Sequence, residues 1–390
     1  MEQASVLDRK RAVTRYQRGE SPSAICASMG YSRDWLYKWI DRFDAADPTW
    51  AEERSRRPAT SPSRATDATE RAVLTVRHAL VSSGVFCGAQ AIRWELETLK
   101  VDPLPSVRTI NRILRRYGME PQRRTGRYVP KGKRYPVLPA EAPGAVHQSD
   151  FVGPCYLHGP VRFFSLHSVD VATGRCAVQP LPHRDAQSTI NGFWASWWRL
   201  GMPQHQQVDN DAAFYGSERH PRGLGPLIRL CLQQGIEPWF IPAAEPWRNG
   251  IVEHFNGCWE TYGPLQQDLV GMEALSRESL AFEARHNARY RYTKLRGQTP
   301  NSALVMSGVP LRFPRAEDPP THPLPKPETG RYHLVRFIRH DGTLSVFGER
   351  FRVPPQAHYE YVRATVDVAR QRLLVSLDDQ VIDEHRYSLR

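Results

Sequence analysis

The 390-residue sequence has no Cys-x-x-Cys pair: Cys26, Cys87, Cys155, Cys176, Cys231 and Cys258 are scattered singly. Isolated thiols build neither a structural zinc site nor a disulfide framework, so they read as buried, reduced side chains of a cytoplasmic protein. No apolar run reaches the length of a membrane span, and the N-terminus has no signal-peptide core, which excludes a membrane partner from the expectation. An acidic excess is missing as well: the formal net charge is +12 and the isoelectric point about 9.6. A polyanionic partner follows, with a merely soluble basic surface as the alternative. Residues 1–140 hold 26 Lys and Arg against 15 Asp and Glu, whereas residues 141–390 hold 27 against 26. One N-terminal module therefore grips phosphate while the remainder does something else.

A chain of this length predicts about two to four compact units. Helical spacing runs from Val6 to Arg18, Ser21-Pro22 starts a short helix, and Ser32 caps a third that reaches Phe43. Leu36, Trp39, Ile40 and Phe43 form its inward stripe, leaving Arg33, Tyr37 and Lys38 to enter a major groove in a helix-turn-helix domain over 1–50. A bundle without a DNA role has the same spacing. After a polar, proline-bearing linker, a second helix-turn-helix-like unit spans 66–120. In its last helix Val107, Ile110, Leu114 and Tyr117 point inward, while Arg108, Asn111, Arg112, Arg115 and Arg116 line the outside. Residues 121–140 are a basic linker in which Arg123, Arg124, Arg127, Lys131, Lys133 and Arg134 can follow a phosphate backbone or remain solvated.

From 141 to 270 the pattern is three strands, helix, strand, helix, strand, helix, the order of an RNase H-like α/β core with a mixed sheet. A helix-rich extension, 271–309, leaves the core, a proline-rich linker covers 310–330, and short alternating strands over 331–390 predict a small β-barrel. Three acids in the core stand apart. Asp150 ends a strand that Phe151-Val152-Gly153-Pro154 breaks; Asp209 ends the run from Pro203 to Val208; Glu253 lies on a helix that begins after Pro246. Hard divalent cations prefer such oxygen ligands and keep positions open for phosphate and water, which points to metal-dependent phosphoryl transfer on DNA. Asp211, two residues beyond Asp209, is a rival for the second position.

His147-Gln148-Ser149-Asp150, Val208-Asp209-Asn210 with Phe214, and the stretch from Asn249 to Asn256 resemble the three signature blocks of integrase-core DDE transposases of bacterial insertion sequences, relatives of retroviral integrases. Asn287-Ala288-Arg289 through Thr299-Pro300 resembles the block that follows the core in that family. The chain departs from the family in the 43 residues between Asp209 and Glu253, longer than in many relatives, in Glu260 where relatives often carry a cation, and in Tyr290-Arg291 for the usual Pro-His. The resemblance implies that Asp150, Asp209 and Glu253 hold two Mg²⁺ ions, with Mn²⁺ as substitute. It implies 3′-end cleavage and strand transfer on double-stranded DNA, at element ends and target, by a homo-oligomer, and admits an ATPase helper. Asn210, Asn249 and Asn256 would support the ligands or touch DNA, or cap structure. The competing class is a catalytically inactive, sequence-specific DNA-binding regulator.

Overall fold

The computed structural model describes residues 5–54, 65–119, 134–157, 161–216 and 222–390. Two compact units form, Met1–Arg64 and Ala65–Arg390. The first holds helices α1 (Val6–Gln17), α2 (Pro22–Met29) and α3 (Arg33–Arg42). Each starts on a serine, Ser5, Ser21 or Ser32, whose hydroxyl accepts a backbone N–H of the first turn. Gly30 ends α2 at φ 74°, a left-handed turn that admits glycine without strain. Ala12, Ile25 and Leu36 form a fully buried centre, and the Arg9 guanidinium covers Trp39 at 4.3 Å while donating to the Ala51 carbonyl at 2.8 Å.

The second unit opens with α4 (Asp67–Ser82), α5 (Ala89–Thr98) and α6 (Val107–Arg116). Then come β1 (Val146–Tyr156), β2 (Arg162–Asp170), β3 (Cys176–Leu181), α7 (Ala186–Leu200), β4 (His205–Val208), α8 (Ala212–Tyr215), α9 (Pro226–Gln233) and β5 (Glu237–Phe240). The 3₁₀ turn Pro246–Asn249 leads into α10 (Gly250–Tyr262), α11 (Gly271–Arg289) and α12 (Pro300–Ser307). The strands β6 (Arg331–Phe337), β7 (Thr343–Val346), β8 (Glu349–Arg352), β9 (Tyr361–Asp367), β10 (Arg372–Leu377) and β11 (Gln380–Arg386) complete it. Nine strands share one mixed sheet in the order β11-β10-β9-β6-β5-β4-β1-β2-β3, while β7 and β8 form a separate hairpin. β1, β4, β5 and β6 run parallel to their neighbours in that series; the flanks are antiparallel.

Several expectations change. The six C-terminal strands lie where the alternation predicts, but among the described residues no closed barrel forms, because β6 pairs with β5 and continues the core sheet. Strand β1 is not broken after Asp150; it runs on to Tyr156, with a register shift between Val152 and Cys155 taking up the irregularity. α11 does not leave the core. It covers the edge strand β3, where Glu283 accepts the Val178 N–H at 2.9 Å and Asn287 bonds both the N–H and the carbonyl of Cys176. The proline-rich stretch after Val309 is a strap rather than a free linker: Arg312 caps the Gln234 and Pro203 carbonyls, and Leu324 is buried in the core.

The α4–α6 bundle shares one apolar cluster with the core, joining Val73, Ile92 and Ile110 to Phe163, Phe255, Trp259 and Tyr290. Inward residues of α6 are Ile110, Ile113 and Leu114; Tyr117 is exposed and donates its hydroxyl to Glu70 at 3.2 Å. Tyr117 therefore corrects the expected stripe.

Candidate active site

Strand register does most of the assembly. β1 and β4 pair in parallel with Val146 opposite His205, His147 opposite Gln206 and Gln148 opposite Gln207. Carried two residues further, the same register sets Asp150, inside β1, beside Asp209, the residue that follows β4. The third acid arrives on α10. Gln148 Oε1 accepts the N–H groups of Ile251 and Val252 at 3.0 and 3.3 Å, so a side chain of β1 caps the helix start. Asn256, one turn beyond Glu253, donates its amide to Asp150 Oδ2 at 2.8 Å.

The three carboxylates feel one another. Burial first, then the charge of Asp209, pushes Asp150 up to about 6, with the Asn256 hydrogen bond opposing and Glu253 adding a smaller push. Asp209 is raised by burial and by Asp211, against the Asp211 N–H that donates to it at 3.0 Å. Glu253 is raised by burial and by Asp209. Among the described residues none of the three forms an ion pair, and no group of three or more His, Cys, Asp or Glu side chains stands close enough to be a ready-made metal cluster.

Asp211 is differently committed. It caps α8, accepting the Ala213 N–H at 2.8 Å, and its other oxygen takes the Arg184 guanidinium at 2.7 Å. Asn210 spans between strands, donating to the Ile241 carbonyl at 2.6 Å and accepting from Arg336 at 2.7 Å. Asn249 is buried and donates to the Ser149 carbonyl at 3.0 Å. Of the three asparagines, only Asn256 touches an acid of the trio. The sequence assigns no role to His167, which lies opposite Asp150 on β2 and whose Nδ1 meets Asn256 Oδ1 at 2.8 Å. Burial lowers it to about 4, so the ring is neutral and donates from Nδ1, which turns the Asn256 amide toward Asp150. A single histidine in the buried part of β2, between Leu166 and Ser168, was the available signal.

The expected DNA-facing residues belong to other segments of the chain. Arg33, Tyr37 and Lys38 are exposed on α3, with Arg33 donating to Ser23 at 2.5 Å. Arg108, Asn111, Arg112 and Arg115 line an open groove along α6 together with Val107. Arg116 bonds Glu70 at the end of that helix. Arg134 pairs with Asp378 at 3.1 Å. Arg123, Arg124, Arg127, Lys131 and Lys133 lie outside the described residues.

Among the described residues no helix is long and apolar enough to cross a membrane. Residues 3–49 match the family of homeodomain-like domains. Comparison with curated proteins returns no match. Among solved structures the chain is similar to the catalytic core domain of HTLV-2 integrase in complex with magnesium, at 19% identity and a TM-score of 0.32, over 41% of this chain and 96% of that one. It is also similar to the intasome of simian T-cell lymphotropic virus in complex with a PP2A regulatory subunit, at 17% identity and a TM-score of 0.36, over 80% of this chain and 97% of that one. The catalytic core domain of BIV integrase is similar at 16% identity and a TM-score of 0.31, over 42% of this chain and 95% of that one.

Proposed function

We propose that the chain is a divalent-metal-dependent transferase of DNA strands, with Asp150, Asp209 and Glu253 as its ligand set. The observation that carries the reading is the β1–β4 register, which sets two acids side by side under a helix start that Gln148 fixes and that bears the third. The donor set fits a hard cation. All its ligating atoms are oxygens, and burial raises all three acids, helped by the charge of Asp209 at Asp150 and Glu253 and by that of Asp211 at Asp209, a cost that a divalent ion removes. Asp150, Asp209 and Glu253 would hold the divalent ions.

When bound, a Mg²⁺ pair lowers the pKa of an attacking water or 3′-hydroxyl and stabilises the leaving oxygen of an in-line displacement. The chain's own residues supply the frame. Asn256 donates to Oδ2 of Asp150 and holds that carboxylate in place. The Asp211 N–H orients Asp209. In the first step water attacks phosphorus and the 3′-oxygen leaves as a hydroxyl; in the second, that hydroxyl attacks a target phosphate and displaces its 3′-oxygen. No protein nucleophile is needed.

Arg33, Tyr37 and Lys38 on α3 and the Arg-lined groove of α6 are proposed to bring the site to element ends, with Arg134 and the basic stretch before it on the phosphates. Joining two ends requires at least two copies of the chain. Donor oligonucleotides carrying the inverted repeats that flank the gene, incubated with Mg²⁺ or with EDTA, test the whole. Metal-dependent nicking and joining is the expected result. Binding without nicking would favour the inactive regulator, and nicking without joining a plain nuclease.

A further inference from the structure

The turn Pro246–Asn249 touches the frame of all three acids. The Arg248 carbonyl accepts Gln207 Nε2 at 2.9 Å, two residues before Asp209. Asn249 Nδ2 donates to the Ser149 carbonyl at 3.0 Å, one residue before Asp150. The next residue, Gly250, begins α10, the helix that carries Glu253. Whatever fixes this turn therefore fixes the spacing of the trio.

On its other side, Arg248 ties the turn to residues beyond the two strands. The Arg248 guanidinium lies 3.8 Å from the ring centre of Tyr135 and 5.1 Å from that of Tyr361, and its Nε donates to Glu245 at 3.0 Å. The Tyr361 hydroxyl donates to the same carboxylate at 2.7 Å, and the two tyrosine rings meet edge to face at 5.2 Å. A planar cation that lies over one ring, beside a second, and is hydrogen-bonded through its Nε has little freedom, and Lys cannot reproduce that geometry. We infer that Arg248, clamped by Tyr135 and Tyr361, is a positioning residue that sets the distance of Glu253 from Asp150 and Asp209 and so governs metal loading at the site. This rests on the proposed ligand set.

The clamp stands away from the reacting atoms, so its loss should change turnover and metal demand rather than grip on DNA. In the full chain, Arg248→Ala is expected to slow joining on the order of 100-fold, as misplacement of catalytic groups by an ångström does. End affinity should stay within about twofold, and calorimetric Mn²⁺ affinity should fall at least tenfold, the size seen when groups supporting metal ligands are removed. Tyr135→Ala should share the defect. Tyr135→Phe, which keeps the ring and loses only a buried hydroxyl, should restore it. Circular dichroism and melting of both Tyr135 variants control for folding. Wild-type turnover and Mn²⁺ affinity in Arg248→Ala, or equal impairment of the Phe and Ala variants, would overturn the clamp. A wild-type chain that binds Mn²⁺ yet joins no DNA would instead count against the transferase reading, and the Mn²⁺ affinities of the variants would still decide on the clamp.

Discussion

Burial and the neighbouring Asp209 lift Asp150 from its ordinary 3.8 to about 6. A carboxyl raised in the fold stabilises the folded state fully below pH 3.8, and that contribution is lost as the pH rises through about 6. Asp150→Asn, neutral at every pH, should therefore melt higher than wild type in EDTA at pH 8 and show no gain at pH 3.5. A shift of two units is worth about 3 kcal/mol, and partial exposure reduces the expected gain to about 1–2 kcal/mol. Denaturant melts at the two pH values check this, and an Asp150→Asn no more stable at pH 8 than wild type would show that the carboxylate is not strained. Metal binding runs oppositely, because the ligands must be ionised: Mn²⁺ should protect wild type less as the pH drops below about 6. The sequence singled out the proposed acids because Asp209 ends an extended run, Glu253 opens a helix at a turn, and Asp150 precedes an expected strand break that β1 does not have. His167 and Gln148 were not assigned, since their roles depend on which strand lies opposite and which helix starts above.

At the scale of elements, the helix and strand periodicities were readable almost throughout, but their partners were not. α11 has the charged, weakly amphipathic look of a helix in solvent, yet Glu283 and Asn287 face the edge of β3 and satisfy its backbone. Polar residues that serve a strand edge cannot be told by spacing from polar residues that serve water. Glu283 also receives Arg199 at 3.0 Å and is held above the ordinary carboxylate range by burial. Glu283→Ala leaves the Val178 N–H and the Arg199 Nε–H without their acceptor, and should cost about 2–3 kcal/mol in urea unfolding. Glu283→Gln, which retains an acceptor, should cost less. Equal stability of the Ala variant and wild type would return α11 to the role of a solvent-facing extension.

For the whole molecule, the α/β order of the core was in the sequence, while the continuity of the C-terminal strands with it was not. Six short alternating strands fit a barrel or an extension equally well, since both bury one face. The hydrogen bonds of β6 to β5, and a shared cluster running from Phe240 and Leu232 to Val366 and Tyr387, make these strands part of one core. A chain ending at residue 330 should therefore expose β5 as an edge and aggregate or fail to melt cooperatively, and residues 331–390 expressed alone should give no dispersed amide spectrum. A well-folded isolated 331–390 fragment would restore an autonomous domain. The first unit is the opposite case, with its own buried centre around Ala12, Ile25 and Leu36.

Magnesium-dependent joining of an end oligonucleotide, measured beside gel-shift affinity for Asp209→Asn and Asp211→Asn, tests the central claim most directly. Asp209→Asn should abolish nicking and joining while end binding stays near wild type. Asp211→Asn keeps the cap of α8 and should retain turnover within about threefold. Turnover that survives Asp209→Asn, or that falls only in proportion to lost DNA binding, would contradict a site built on Asp150, Asp209 and Glu253.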